Sequence, residues 1–247
     1  MGGLTFGLDG AAAGWRLGVA VSYEQDSIDD AARMSSATDT AEAISVYAGR
    51  DFGRLAVRLG ASYGWHRIDS SRSEQFPGFS DRTTAGFDAG TDQAFGEVGY
   101  IWAVHGASVE PFAGVSYDQI TTQSAKEAGG VAALAVAGVT KDEVSTRLGA
   151  RTSADVGTAN GLDLSLHGSL AWRHAEGAFA SNTPVSFEAT GQDFVVNGLP
   201  LAHDAAEIVA GLSAKFGGRG RLDLSYSGEF SSRQQDNGLK LLASWAF

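Results

Sequence analysis

The sequence predicts an all-β fold, a transmembrane antiparallel β-barrel with about eleven strands present. Three observations predict it: period-two alternation in the closing segments, segregated connection lengths, and aromatic residues gathered at strand ends. In 239–247, Leu239, Leu241, Ala243, Trp245 and Phe247 share one face, and Lys240, Leu242, Ser244 and Ala246 share the other. In 221–230, Leu222, Leu224, Tyr226 and Phe230 oppose Arg221, Asp223, Ser225, Ser227 and Glu229. A soluble sandwich and a membrane barrel both use such strands, so the whole chain must decide between them.

Composition narrows the classes. The chain has 247 residues, with Gly 33, Pro 4 and Cys 0, which rules out disulfides and thiolate metal sites. A formal net charge of −11 argues against a nucleic-acid partner. Mean hydropathy is −0.08, and the longest mainly apolar run, 131–139, is far short of the roughly 18 residues a spanning helix needs. A membrane barrel escapes that test because its lumen residues dilute the average. The opening Met1-Gly2-Gly3 runs straight into strand-like sequence without a secretory leader, so it is read as a domain boundary.

The elements follow in order. Strand 3–9 carries Leu4, Phe6 and Leu8 on one face, and a turn at 10–14 leads to strand 15–23. There Trp15, Leu17, Val19, Val21 and Tyr23 oppose Arg16, and 24–38 reads as a polar loop. Strand 40–50 sets Ile44, Val46 and Ala48 against Ser45 and Tyr47. After a turn at 51–54, Leu55, Val57, Leu59, Tyr63 and Trp65 oppose Arg58 and His66, with a loop expected over 69–85. Strand 88–103 points Val98, Tyr100 and Trp102 outward and Phe95 and Glu97 inward. Beyond His105-Gly106 comes strand 109–117, whose Pro111 cannot donate to a ladder and is expected near the strand start or at a bulge. A loop is expected over 121–139. Strand 141–156 sets Val144 and Leu148 against Arg147 and Arg151, and strand 162–173 sets leucines and Trp172 against Asp163, His167 and Arg173. The longest loop is expected over 177–202, before strands 205–216, 221–231 and 239–247. Short turns thus fall on one rim and longer stretches on the other, as in outer-membrane barrels. Trp15, Tyr63, Trp65, Tyr100, Trp102 and Trp172 are expected in aromatic girdles at the two interfaces.

The ordered segments Phe95-Gly96-Glu97-Val98-Gly99-Tyr100, Val109-Glu110-Pro111-Phe112-Ala113-Gly114-Val115-Ser116-Tyr117 and Gly168-Ser169-Leu170-Ala171-Trp172-Arg173-His174 carry a resemblance. So do Phe194-Val195-Val196-Asn197-Gly198-Leu199-Pro200, Leu224-Ser225-Tyr226-Ser227-Gly228-Glu229-Phe230 and the terminal Ser244-Trp245-Ala246-Phe247. The chain resembles the C-terminal translocator barrel of autotransporters, the type V secretion proteins of Gram-negative bacteria. The family's usual penultimate position is polar, and Ala246 departs from it. The resemblance implies one barrel domain over 1–247 that lacks the family's first strand and pore helix, making eleven strands of an expected twelve. It implies insertion in the outer membrane with the C-terminus periplasmic. It implies contact with lipid and lipopolysaccharide, assembly through Trp245 and Phe247 by the barrel-assembly machinery, and a covalent passenger upstream. A stand-alone channel or adhesin barrel without a passenger is the alternative.

No catalytic or cofactor site is expected. His174 and His203 flank the longest loop beside Glu176 and Asp204, where a proton-transfer pair is conceivable, but ordinary solvated residues at a loop entry are the strongly favoured reading. There is no His-x-His pair, no calcium-ligand spacing at Asp29-Asp30 and no phosphate-binding Gly loop. The expected lumen set is Arg16, Arg58, Glu97, Glu110, Arg147, Arg151, Asp163, Arg173, Glu207, Arg221, Asp223 and Glu229. Its mixed signs suit a hydrated path for an unfolded polypeptide, and equally suit structural ion pairs across the wall.

Overall fold

Alternating apolar and polar residues can bury or solvate a whole face at once only in a pleated strand, and the chain takes that option almost throughout. A computed structural model describes residues 2–177, 182–198 and 202–246. The first strands are β1 (Gly2–Ala12), β2 (Trp15–Asp30), β3 (Ser35–Phe52), β4 (Leu55–Phe76), β5 (Phe79–Tyr100), the short β6 (Trp102–Val104) and β7 (Ala107–Thr122). Three short strands follow: β8 (Ala125–Lys126), β9 (Ala128–Gly129) and β10 (Leu134–Val136). The rest are β11 (Val139–Ala159), β12 (Leu162–Gly177), β13 (Asn182–Phe187), β14 (Asp193–Asn197), β15 (Asp204–Phe216), β16 (Gly220–Ser231) and β17 (Gln235–Trp245).

Eleven long strands make one curled sheet in the order β1-β2-β3-β4-β5-β7-β11-β12-β15-β16-β17, every neighbour antiparallel. The strand count read from the sequence matches this path. Among the described residues β1 pairs only with β2, and β17 only with β16, so the sheet has two open edges there.

One rim is built from tight turns. Ala13-Gly14, His105-Gly106 and Asn160-Gly161 each have two successive residues at positive φ, the signature of two-residue hairpin turns whose twist matches the strands. Gly217 and Gly218 also have positive φ, and Gly53 serves the turn between β3 and β4. These lie inside the turns expected at 10–14, 51–54, 104–107, 157–161 and 217–220.

The opposite rim differs from the expectation. Segments 24–38 and 69–85 are not loops. β2 runs to Asp30 and β3 starts at Ser35, while β4 runs to Phe76 and β5 starts at Phe79. Their ladders continue unbroken through polar sequence, from Asp30↔Ser35 and from Phe76↔Phe79. Where both faces of a ribbon are wet, no apolar face marks it, so period two vanishes while backbone pairing persists. The expected loops at 121–139 and 177–202 also hold structure. β8, β10, β13 and β14 form a second sheet in the order β14-β13-β10-β8, and β9 pairs with β5 at Thr83 and Thr84.

Pro111 lies near the start of β7, on the turn-rim side. The ladder to the preceding strand stops at Gly99↔Phe112 and resumes in the same register at Trp102↔Val109. The missing N–H of Pro111 falls in that gap and separates β5 from β6. A true bulge occurs elsewhere, between Asp155 and Gly157 of β11.

Candidate functional site

The two faces of the curled sheet carry opposite chemistry. On one, long polar side chains reach over intervening strands and join four networks. Arg58 of β4 donates from Nη1 to Glu97 Oε1 on β5 (3.1 Å), and grips Glu110 of β7 with Nη1 to Oε1 at 2.5 Å and Nη2 to Oε2 at 3.1 Å. Arg151 of β11 donates to Glu97 Oε2 (2.6 Å) and lies over the Phe112 ring, 4.2 Å from its centroid. Four of the expected lumen residues therefore form one chain of alternating charge.

A second network centres on Arg173 of β12. It meets Glu143 at 3.2 Å, Glu229 at 2.7 Å and Glu207 at 3.7 Å, on β11, β16 and β15, while Arg147 donates to Glu207 at 3.1 Å. Three carboxylates around one guanidinium are held together because a second cation, Arg147, shares the load at Glu207. In a third network the fully buried Ser213 hydroxyl donates to Asp223, and Arg221 donates to Ser213 Oγ (2.7 Å) and Asp223 (3.4 Å). His167 stands 3.6 Å from the same carboxylate. The fourth joins Arg16 Nε to Asp9 (2.7 Å), with the Tyr47 hydroxyl donating to Asp9 at 3.1 Å across β2. Asp163 stands apart from the arginines and accepts from Thr158 at 2.7 Å.

These contacts differ in weight. Arg16–Asp9 is largely exposed and contributes at most about 1 kcal/mol. Glu110 is 7% exposed, so its carboxylate depends on Arg58 for most of the solvation it has lost.

The other face is apolar across every strand of the main sheet. Leu4, Phe6, Val19, Val46, Leu59, Val98, Leu148, Leu170, Leu224 and Leu241 are all more than two-fifths exposed. Water contact over such a continuous surface would cost roughly 1.5–3 kcal/mol per large side chain, and soluble monomers rarely expose contiguous apolar patches beyond a few hundred Å². Aromatics bracket it. Near the turn rim, Trp15 meets Phe52 (6.2 Å between centroids), Tyr100 meets Trp102 (5.5 Å) and Phe216 meets Trp245 (6.1 Å). Towards the other rim Tyr63 packs edge-on to Trp65 (4.8 Å), in company with Tyr23, Tyr117 and Trp172. Along β2 the two levels, Trp15 and Tyr23, are about eight residues apart, near the 9–11 a tilted strand needs to cross hydrocarbon. Phe52 and Phe216 were not singled out from sequence; their placement beside strand-ending turns was the available signal. Phe247 lies outside the described residues.

Two polar assemblies sit beyond the second aromatic level. His174 Nδ1 donates to Asp204 (2.9 Å), which also accepts from the Trp172 indole (3.0 Å). The His174 hydrogen bond, with a smaller share from the indole, holds the Asp204 carboxyl below its usual range. His203 Nδ1 donates to the Ala175 carbonyl at 3.1 Å. Nothing in the sequence pointed to the other assembly. Arg72 holds Glu127 with two hydrogen bonds (3.1 and 2.6 Å), pairs with Glu74 and caps the Ala132 carbonyl (3.0 Å). Asp81 accepts from the Ala132 amide (2.8 Å). This cluster fastens the small sheet to the β4–β5 hairpin. Among the described residues no group of three or more His, Asp or Glu is arranged to hold a metal ion.

The comparisons agree with this geometry. A family profile described as "Autotransporter beta-domain" matches residues 1–227. Two proteins of Serratia marcescens, each named "Extracellular serine protease", are 34% identical over 99% of this chain and 33% identical over 94% of it. The chain spans only 23% and 22% of their lengths. Among solved structures, the translocator domain of autotransporter NalP from Neisseria meningitidis superposes with a TM-score of 0.74 at 13% identity, covering 99% of this chain and 80% of that one. The beta domain of the Bordetella autotransporter BrkA (TM-score 0.60, 16% identity, 99% and 90% covered) shares the fold. So does the transport unit of AIDA-I from Escherichia coli (TM-score 0.60, 14%, 99% and 81%). The matched domain is a structural, non-catalytic unit. The chain belongs to the autotransporter beta-domain family, the translocator barrels of type V secretion in Gram-negative outer membranes.

Proposed function

We propose that this chain is the outer-membrane barrel of an exported protein and supports passage of a passenger joined upstream. The family match over residues 1–227 carries the reading. The two-faced sheet supports it: the apolar face meets lipid and lipopolysaccharide, and the ion-paired face lines a hydrated lumen. Each of the expected lumen arginines is already matched to carboxylates, so an unfolded segment passing through meets guanidinium charge that is largely neutralised. The tight turns then face the periplasm, as does the end of β17, and the extended hairpins stand outside. Trp15, Tyr63, Trp65, Tyr100, Trp102 and Trp172 serve as interface anchors.

The domain over 1–247 is a single barrel short of closure. Eleven antiparallel strands leave β1 and β17 running the same way, and both edges unpaired. One further strand, with a pore helix before it, completes the reading. Trp245 and Phe247 act as the signal for the barrel-assembly machinery. Deleting Phe247 lowers insertion in cells more than refolding in detergent; equal losses would make Phe247 a packing residue only.

The test is export itself. An epitope placed in the natural sequence upstream of this domain becomes accessible to protease on intact cells. Removing β17 traps it inside. Equal surface exposure with and without β17 would overturn the reading.

A further inference from the structure

On the polar face, three neighbouring strands place a carboxylate, an imidazole and a hydroxyl in line. Asp39 of β3, His66 of β4 and Thr91 of β5 share the face of Tyr47, Arg58 and Glu97 by period two, through ladders without a bulge. His66 directly follows Trp65, so the set lies at the second aromatic level. His66 Nδ1 is 2.8 Å from Asp39 Oδ2, and His66 Nε2 is 3.2 Å from Thr91 Oγ1. A carboxylate only accepts, so in the neutral ring Nδ1 carries the proton and donates to Asp39. Nε2 is then the acceptor for the Thr91 hydroxyl. Asp39 Oδ1 is buried without a hydrogen-bond partner, so among the described residues the His66 ring is what this side chain engages. Gly64 lies opposite Thr91 and makes the contact possible: a Cβ there would stand 2.5 Å from Thr91 Oγ1 and 3.3 Å from His66 Nε2. A hydroxyl, a base within reach of it and a third group orienting the base make up the arrangement used for acyl transfer. The side chains of His66 and Asp39 are 21% and 33% exposed, so water on the polar face reaches the set.

We propose that Thr91 is a covalent acyl-acceptor site, modified once per chain by a small activated acyl ester that arrives through the water on the polar face. Thr91 Oγ1 attacks the ester carbonyl carbon while His66 Nε2 takes the hydroxyl proton. The tetrahedral adduct collapses, the bond to the leaving alcohol breaks, and that alcohol takes the proton back from Nε2. The acyl group ends as an ester on Thr91, and the ring returns to its neutral form. Asp39 is a positioning residue, holding the tautomer and orientation of the ring. The site is modified rather than turned over, so the domain remains non-catalytic. The proposal needs water on this face and does not depend on export. A purely structural bridge would satisfy the same three groups without raising the reactivity of the hydroxyl.

The folded chain in detergent is treated with p-nitrophenyl acetate, and acetylated residues are mapped by peptide mass spectrometry over time. Thr91 is acetylated about a hundredfold faster than the other threonines, within the range a positioned general base supplies. His66→Ala removes that excess, and added imidazole, which fits the vacated space, restores part of it. Asp39→Asn presents an amide N–H to Nδ1 and forces the other tautomer, so the rate falls roughly tenfold or more and imidazole does not restore it. Gly64→Ala removes no reacting group, yet lowers the rate by parting Thr91 from His66. Thr91→Ser keeps the acetylation at that position. Folding of each variant is checked by strand circular dichroism and heat-shifted gel mobility, and the chain unfolded in denaturant loses the selectivity. Acetylation of Thr91 no faster than that of the other threonines in the folded chain, or unchanged in His66→Ala, overturns the site and leaves the export reading intact.

Discussion

Arg58 holds Glu110 by both carboxylate oxygens, at 2.5 and 3.1 Å, although β5 lies between their strands. The contact exists because Gly99 of β5 has no side chain: a Cβ there would collide with the Glu110 carboxylate. A glycine near the turn-rim end of β5 thus opens the corridor for an ion pair that spans three strands. This ties a local absence of side chain to long-range stability of the wall.

Gly99→Ala should therefore act on an interaction it does not make. Pushing the Glu110 carboxylate aside loses the two-point contact. We expect a loss of about 2–3 kcal/mol, below the 3–5 kcal/mol for a fully buried pair because Arg58 is partly hydrated and keeps Glu97. Glu110→Gln should cost a similar amount, and the double variant little more than either single one. Denaturant unfolding in detergent measures all three. Additive losses would mean Gly99 acts through its own strand geometry.

The facing of β16 gives a sharper contrast. Leu224 lies on the apolar face in a row with Leu212 and Leu241, and the adjacent Ser225 points to the polar face beside Lys240. Leu224→Arg should cost roughly 2–4 kcal/mol in a bilayer, and Ser225→Arg much less. Equal folding of the two variants in lipid vesicles would reverse the facing of the sheet.

The Arg72 cluster should control the small sheet alone. Arg72→Met leaves Glu127, only 12% exposed, without its two charge-assisted bonds. Opening of the 123–138 segment should become easier by about 1.5–3 kcal/mol. Limited proteolysis in intact vesicles should cut there roughly ten- to a hundredfold faster, while the main sheet stays resistant. Unchanged cleavage would show that β9 pairing and apolar packing suffice to hold the sheet.

What could be read from sequence follows the position of each residue relative to lipid. Strands such as β16 and β17 announce themselves because one face is apolar and the other wet. The hairpin ends of β2 to β5 do not, since serines, threonines and aspartates line both faces of a ribbon surrounded by water. The residues of the Arg58 network could be assigned to one face from period two. Arg58 and Glu97 sit opposite each other on adjacent strands, but the bonds to Glu110 and from Arg151 could not be read, because each skips a strand and joins residues 52 and 54 positions apart. Arg72 and Glu127 had no signal at all, as both lie in stretches that read as loops. Gly99 looked like any other strand glycine until Glu110 was seen lying across it.

The open edges carry the last prediction. β1 and β17 run parallel by parity, and every residue in both is exposed. Each presents a row of N–H and C=O groups that lipid cannot satisfy, at several kcal/mol per group. Direct closure of β1 on β17 would need a parallel seam, whereas bacterial single-chain barrels close antiparallel with an even count. A strand from the upstream sequence, running opposite to both, satisfies the two edges at once. Extending the chain upstream by about 10–12 residues, the length that crosses a bilayer as a tilted strand, should raise the thermal midpoint in detergent by at least 10 °C. It should also protect the amides of Leu4, Phe6, Leu241 and Ala243 from hydrogen exchange. Amides of both edges already protected without the extension would mean that β1 and β17 pair directly, and the twelfth strand would be unnecessary.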